Sequence, residues 1–543
     1  MSLKVLMVSP VFRYSFLSLP EYRAMMGGSA MFPPLGLLTV AALLPREWEV
    51  RLADLNVRPL SGPDWAWADV VMVSGMYAQR DGFLEVIREA RRRGKVSVAG
   101  GPYPTAHPED VASAGCNFVV RGEGEVTVPQ LIEALEEGSP GALIEARGRP
   151  DLSLSPIPRY DLLRIDDYVN TAVQTSRGCP HACEFCDVTA LFGRAPRYKR
   201  PEQVVAELEQ LYRLRAPSHA FICDDNLIAD RSHARAILEA IIDWNRERGE
   251  PFGFSTQCTV ELGRDPEMID LLTAANFGTI LIGVESPDEE ALVRARKTQN
   301  VRRPLADLID TICRNGLTVL PSFIVGLDGE KRGVGRRICE LVEKTAAPIA
   351  TINILHAPPR TKLWERMEKE GRLLRDSLPG DEIFGLPNYI PDRPLEQVLS
   401  EFTGTWDYLY EPRRFLARAY RYYLRMRPTR RALAESRGER FAGPRQRRRL
   451  SRRGLLDLRV LWTIVWRQGI LAPYRRQFWN QLLGMMRRNP SRLPLYLHRC
   501  VHAEDMFRIR RTLLSLQRER RPAPTQTPPD HVSTAMRRLH RSA

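Results

Sequence analysis

Near-continuous apolar runs at residues 4–9, 50–54, 70–74, 96–99 and 118–120 read as strands buried on both faces. Helix-length amphipathic stretches, such as 34–44 and 82–93, separate them. Strict alternation of this kind predicts a doubly wound parallel sheet over residues 1–145, with any ligand at the carboxyl ends of its strands. The loops expected there are residues 11–31, the segment from Gly75 through Gln79 to Arg80, and Gly100-Gly101-Pro102. Gly100 and Gly101 would let backbone come close to a ligand. Any doubly wound domain needs glycine turns, so the pattern alone does not name the ligand.

After a linker rich in proline and serine, residues 146–165, a second series begins. Candidate strands at 171–176, 220–224, 252–257, 279–285, 318–325 and 350–356 alternate with helical patterns such as 201–213, 231–246 and 304–315. Six such units predict a partial (βα)6 TIM-like barrel over residues 166–390, with its chemistry at the carboxyl ends of the strands. Polar residues recur there: Asp224 and Asp225 after the second strand, Gln257 ending the third, Glu285 ending the fourth, Asp328 after the fifth and His356 ending the sixth. Acids at such positions also cap helices, and a lone histidine is more often a satisfied structural residue.

Residues 391–520 read as a helical extension. From Pro412 to the end there are 33 arginines, no lysine and 7 acidic residues, so the net charge of +15 belongs to this part of the chain. Residues 445–453 form a charge run expected as a solvated loop. Trp462 and Trp466 share one helix face, and the apolar run 460–466 is too short to span a bilayer. Arginines beside an aromatic face suit anionic lipid headgroups, and a solvated helical bundle is the competing reading. No nucleic-acid-binding motif accompanies the charge. Residues 521–543, polar and proline-containing, are expected to be disordered.

A chain of 543 residues exceeds one ordinary core, in line with several domains. Three of its nine cysteines lie within eight residues and six are scattered, which is no disulfide framework. A reducing cytoplasm is the consistent compartment. The N-terminus reads as a first strand, without a signal-peptide cleavage pattern.

The clustered cysteines carry the chemistry. Thr175-Ser-Arg-Gly-Cys179-Pro-His-Ala-Cys183-Glu-Phe-Cys186 puts three thiols on one tight loop after the first barrel strand. Soft thiolates at this density favour an iron–sulfur cluster or zinc. A zinc loop would call for four ligands, and there is no second C-x2-C. The spacing resembles the radical S-adenosylmethionine (SAM) superfamily, in which three cysteines hold a 4Fe-4S cluster whose open iron binds SAM. By that resemblance Phe185 lies against the adenine. Asp224 and Asp225 stand near the SAM amino group, Glu285 stands near its ribose or methionine part, and Gln257 lies nearby.

The first domain is similar to cobalamin-binding domains in Phe32-Pro-Pro-Leu-Gly-Leu-Leu-Thr-Val-Ala-Ala, Asp54-Leu-Asn-Val-Arg-Pro-Leu, Gly100-Gly-Pro and Arg121-Gly-Glu-Gly-Glu125. It lacks the D-x-H-x-x-G that supplies a histidine to cobalt. Base-off cobalamin is therefore expected, with Gly75 to Arg80 nearest its lower face, unless the domain has lost the cofactor. Cys186-Asp-Val-Thr-Ala-Leu-Phe-Gly193-Arg-Ala-Pro-Arg197 resembles the subgroup that includes the hopanoid C-2 methylases, which also carry a C-terminal extension.

The resemblance implies a cobalamin-dependent radical SAM methyltransferase. A 5′-deoxyadenosyl radical takes hydrogen from an unactivated carbon, methylcobalamin delivers the methyl group, and a second SAM restores it. It further implies a small-molecule or lipid substrate such as a hopanoid, and a low-potential electron donor of the flavodoxin or ferredoxin type. Peripheral contact with the inner face of the membrane is the remaining expectation. Ring closure, carbon–carbon coupling or rearrangement without net methylation is the alternative within the same architecture, and a non-enzymatic cobalamin- or lipid-binding scaffold lies outside it.

Overall fold

The computed structural model describes residues 2–15, 18–374, 385–439 and 452–520, without the side chains of 452–457 and 520. Most of the charge run 445–453 and all of 521–543 lie outside the described residues.

The first domain is built on β1 (Lys4–Ser9), β2 (Glu49–Asp54), β3 (Val70–Ser74), β4 (Val96–Gly100), β5 (Phe118–Arg121) and β6 (Ala142–Glu145). They form one parallel sheet in the order β2-β1-β3-β4-β5-β6, the doubly wound arrangement expected. β6 had no sequence signal because it is an edge strand in which only Ile144 is buried. The strand order reverses between β1 and β3, which opens a crevice at their carboxyl ends.

Residues 146–165 are not a free linker. Leu152 and Tyr160 are wholly buried, and the Tyr160 hydroxyl donates to the Ala172 carbonyl at 2.9 Å. The loop after β1 also reaches the barrel: Val169 and Asn170 N–H donate to the carbonyls of Ala30 and Met31 at 2.9 and 3.0 Å.

The second domain contains β7 (Thr171–Val173), the short antiparallel pair β8 (Ser176–Arg177) and β9 (Arg197–Tyr198), then β10 (His219–Ile222), β11 (Gly253–Cys258), β12 (Phe277–Glu285), β13 (Thr318–Val325) and β14 (Thr351–Ile354). Six of these form a parallel sheet in the order β14-β13-β12-β11-β10-β7, the partial barrel expected. The predicted strand 171–176 is broken into β7 and β8 because Thr175 and Ser176 both turn to Asp224. Asp224 and His356 lie just beyond their strands, not within them.

The extension folds as helices Leu395–Leu409, Pro412–Arg425, Arg430–Ser436, Arg452–Ile464, Arg475–Arg488 and Leu493–Arg520, with a π-helical turn at Val465–Leu471. It shares one hydrophobic core with the barrel. The Tyr422 hydroxyl accepts from Val319 N–H at 2.8 Å, and the Tyr410 hydroxyl accepts from Ala350 N–H at 3.0 Å. Arg499, from the last helix, donates to Thr279 Oγ1 at 2.8 Å and to the Tyr423 hydroxyl at 3.0 Å. Thr279 lies early in β12, so the last helix closes the amino-terminal mouth of the barrel and leaves the carboxyl end for chemistry. No helix among the described residues is long and apolar enough to cross a membrane.

Candidate functional site

The loop bearing Cys179, Cys183 and Cys186 leaves β8 and returns through β9. Gly178, with φ +98°, makes the turn into it, where a Cβ would press on the carbonyls of Gly193 and Ala195 at 3.1 and 3.3 Å. Cys179 N–H donates to the Gly193 carbonyl at 3.2 Å and Cys186 N–H to the Cys183 carbonyl at 3.2 Å. Cys183 is buried, and the other two are half-buried. Burial pushes the Cys179 and Cys186 thiols up, with Asp187 adding to the second. Three thiols on one largely enclosed loop, with the Lys297 ammonium near them, suit an inorganic core that takes them as thiolates. Among the described residues, no group of three His, Cys, Asp or Glu gathers tightly enough for a single metal ion.

Both ends of this loop are clamped from outside the barrel. Arg177 ion-pairs with Glu123 at 2.8 Å and with Glu125 at 2.9 Å, and Arg197 pairs with Glu123 at 2.8 Å. These two glutamates open the helix after β5, so the first domain holds the cysteine loop directly. From the other side, Arg366 grips Glu184, between Cys183 and Cys186, at 2.7 and 3.1 Å, and also reaches Asp328 at 2.6 Å.

Of the residues expected near SAM, Asp224 has a different task. It is fully buried and accepts from Thr175 N–H at 2.7 Å, Ser176 N–H at 3.0 Å, Ser176 Oγ at 2.8 Å and Thr175 Oγ1. Its oxygens are spent on the β7–β8 corner, so it positions the loop and does not face a ligand. Asp225 is half-buried, accepts from Gly178 N–H at 2.8 Å, and is pushed up to about 6 by burial. Phe185 is half-buried against the apolar cluster that includes Leu327, Leu355 and Leu363. Gln257 is exposed on β11. His356 ties the Ile354 and Leu386 carbonyls together, each 2.9 Å from a ring nitrogen, which is the structural role weighed for it.

Glu285 stands out. The β12–β13 register slips between Gly283 and Glu285, and Glu285 adopts φ +65°, a strained conformation for a residue with a Cβ. The bulge aims its buried carboxylate at Lys297 Nζ, 2.8 Å away. A Cβ on Gly283 would collide with this carboxylate and lie 2.9 Å from Nζ. Burial works against the Lys297 ammonium, but Glu285 and neighbouring Cys183 outweigh it and raise its pKa above the ordinary lysine value. Gln299 Nε2 lies 3.6 Å from Cys183 Sγ. Lys297, Gln299 and Arg366 had no local signal in the sequence. The Glu123–Arg177 pair did have one, since the run Arg121–Glu125 and the motif arginine were both visible.

In the first domain, Val11 and Met76 stay exposed at the carboxyl ends of β1 and β3, beside the switch-point crevice. Gly101 has φ +95° and its missing Cβ admits Ser74 Oγ. Gly75 accepts from Tyr103 N–H at 3.1 Å, joining the loops after β3 and β4. Gly100 has only ordinary space around it. Gln79 is buried, with its amide donating to the Pro10 carbonyl at 2.5 Å and accepting from Met76 N–H at 3.0 Å. It stitches the two crevice loops together and presents no free polar atom to a cofactor. An apolar-rimmed crevice between glycine-bearing loops fits a broad, flat cofactor such as cobalamin.

Comparison with known proteins places this geometry. Residues 29–132 match the B12 binding domain, residues 173–342 the radical SAM superfamily, and residues 361–519 a domain of unknown function, DUF4070. An uncharacterized methyltransferase of Synechocystis sp. is 40% identical over 94% of this chain and 92% of its own length. The hopanoid C-2 methylase of Rhodopseudomonas palustris is 32% identical over 88% of each. Among solved structures, the cobalamin-dependent SAM radical enzyme OxsB, with aqua-cobalamin and SAM bound, shares the fold at a TM-score of 0.58, 14% identity, and 97% and 82% coverage. The methyltransferase TsrM from Kitasatospora setae, with cobalamin and the 4Fe-4S cluster bound, does so at 0.54, 18% identity, and 68% and 78% coverage.

Proposed function

Because the chain belongs to the cobalamin-dependent radical SAM methyltransferases, whose cofactors are a 4Fe-4S cluster, SAM and cobalamin, we propose that it methylates an unactivated carbon of a lipid such as a hopanoid. When bound, the cluster and SAM supply a 5′-deoxyadenosyl radical and cobalamin supplies the methyl group. Cys179, Cys183 and Cys186 hold the cluster. Phe185, Asp225, Gln257 and the Glu285–Lys297 pair border SAM, and Gly75, Gly100 and Gly101 border cobalamin. A low-potential flavodoxin- or ferredoxin-type donor reduces the cluster.

The observation that carries the substrate class is the barrel lining. Along β10, β12 and β13, the wholly buried Ile222, Ile280, Ile282 and Phe323 face the helices, and alternation turns Phe221, Leu281, Leu320 and Ile324 toward the interior. These four are only half-buried, and the same alternation sets Thr279, Ser322, Gln257 and Asn353 among them, so the lining is mixed but, apart from the Glu285–Lys297 pair, uncharged. A chamber of aliphatic and aromatic side chains with uncharged polar groups between them favours a largely hydrocarbon framework over a charged metabolite. What the chain's own residues contribute is a dry wall, a fixed cluster loop and a buried cation at the SAM end.

The test is anaerobic reconstitution with iron, sulfide and hydroxocobalamin, then incubation with SAM, a reductant and a hopanoid-containing lipid extract. A lipid heavier by one methylene unit supports the reading. Cleaved SAM and an altered product of unchanged carbon count would move it to coupling or rearrangement.

A further inference from the structure

Nine of the twenty large apolar residues that remain exposed in the described structure lie between Leu458 and Met486. Six of them form two stripes. Trp462, Trp466 and Ile470 succeed one another at intervals of four on the helix Arg452–Ile464 and its π-helical continuation, and Trp462 is 63% exposed. Trp479, Leu483 and Met486 follow at intervals of four and three on Arg475–Arg488. The Trp462 and Trp466 rings stack at 6.0 Å. Trp479 Nε1 donates to the Gly469 carbonyl at 2.9 Å, and a Cβ on Gly469 would meet that ring at 3.3 Å. The two stripes therefore meet in one continuous apolar face.

The opposite side of the same segment is well anchored. Gln468 donates to the Cys500 carbonyl and to Glu504, each at 2.8 Å, and Arg467 pairs with Glu21 at 2.9 Å. Arg459, Arg475, Arg476, Arg487 and Arg488 border the apolar face, are exposed, and have no ion-pair partner among the described residues. Aromatic rings bordered by unneutralised arginines match the depth profile of a bilayer interface, with rings at the headgroup level and cations on anionic phosphates. A second copy of the chain would bring like charges together. An acidic electron carrier would need to approach the cluster, whereas these helices pack on the last helix, which closes the barrel at its other end.

We propose that this face docks the enzyme on an anionic phospholipid surface, leaving the cysteine-loop end of the barrel open to its electron donor. The proposal does not depend on the substrate assignment.

The experiment is flotation of the full-length, cluster-loaded protein with vesicles of phosphatidylcholine alone and of phosphatidylcholine with phosphatidylglycerol. The protein should float with the anionic vesicles and not the neutral ones. Replacing Trp462 and Trp466 together by Ser, or Arg487 and Arg488 together by Glu, should each weaken binding about tenfold or more, with unchanged melting temperature, since all four side chains are exposed. No binding to anionic vesicles overturns the proposal. So does binding that survives the tryptophan replacements, which would be charge attraction alone, or a dimer in solution that W462S/W466S dissolves, which would make the face a self-interface.

Discussion

Arg366 Nη2 lies 2.7 Å from the carboxylate of Glu184, the residue that follows Cys183 in the cluster loop. The arginine comes from the helix Lys362–Lys369, at the start of the stretch that matches DUF4070, so that stretch grips the cluster loop away from the first domain's contacts. Replacing Arg366 by Met would leave a buried carboxylate without its cation, a loss of about 3 kcal/mol for a partly exposed pair. The expected outcome is reconstituted protein that loses iron within a chelator challenge the parent withstands. Iron per chain against time measures it, and equal retention would show that the clamp is dispensable.

On the other side of the loop, Glu123 sits among Arg177, Arg197 and Arg149 at 2.8, 2.8 and 3.9 Å. The pair spans the two cofactor domains, so it sets where the methyl donor stands relative to the radical source. Glu123→Gln keeps the volume and removes the charge. The variant is expected to cleave SAM at near-parental rate while the ratio of 5′-deoxyadenosine to methylated product rises several-fold. An unchanged ratio would assign the pair to stability alone.

Much of this was readable in advance, and the failures share a cause. The parallel strands, the barrel and the cluster loop rest on apolar runs and on cysteine spacing, which are local. The direction of a side chain is not local. Asp224 and Gln79 occupy expected loop positions, yet neighbouring backbone donors and acceptors consume them. Lys297 and Arg366 reach the site from distant sequence and leave no pattern around them. The arginine-rich extension read as a solvated or lipid-facing surface, but Arg418 is wholly buried, donating to Ala347 and Leu409 carbonyls at 2.9 and 2.7 Å. Charge counted along a chain does not say which arginines the fold has already used.

Gly283 gives a sharper probe of the SAM end. A Cβ there would strike the Glu285 carboxylate and crowd Lys297, so Gly283→Ala should displace the pair without touching the cysteines. The expected result is full iron content with SAM affinity weakened at least tenfold, roughly 1.4 kcal/mol, read by equilibrium binding under anaerobic conditions. Loss of iron instead would place the glycine in cluster support.

The seam beneath the barrel should be acid-labile. His219, at the start of β10, lies close enough to His498 and His502 of the last helix to couple electrostatically with them. The Tyr22 hydroxyl lies 2.6 Å from His498 Nε2, and the Tyr22 ring lies 4.0 Å from the His502 ring. Burial, with Arg499 nearby, lowers His219 to about 4 and His502 to about 3, and burial with His502 lowers His498 well below its ordinary value. In the unfolded chain each histidine titrates near 6.5. As pH falls below that value the unfolded chain takes up protons that the folded one refuses. Stability is therefore complete above about pH 6.5 and declines as pH drops toward 4 and 3, by up to about 1.4 kcal/mol per pH unit for each histidine. Urea unfolding between pH 7.5 and 5 should show a loss of stability as pH falls, and His502→Gln should make that loss smaller. A slope identical in the variant would mean that His502 is already protonated in the folded protein.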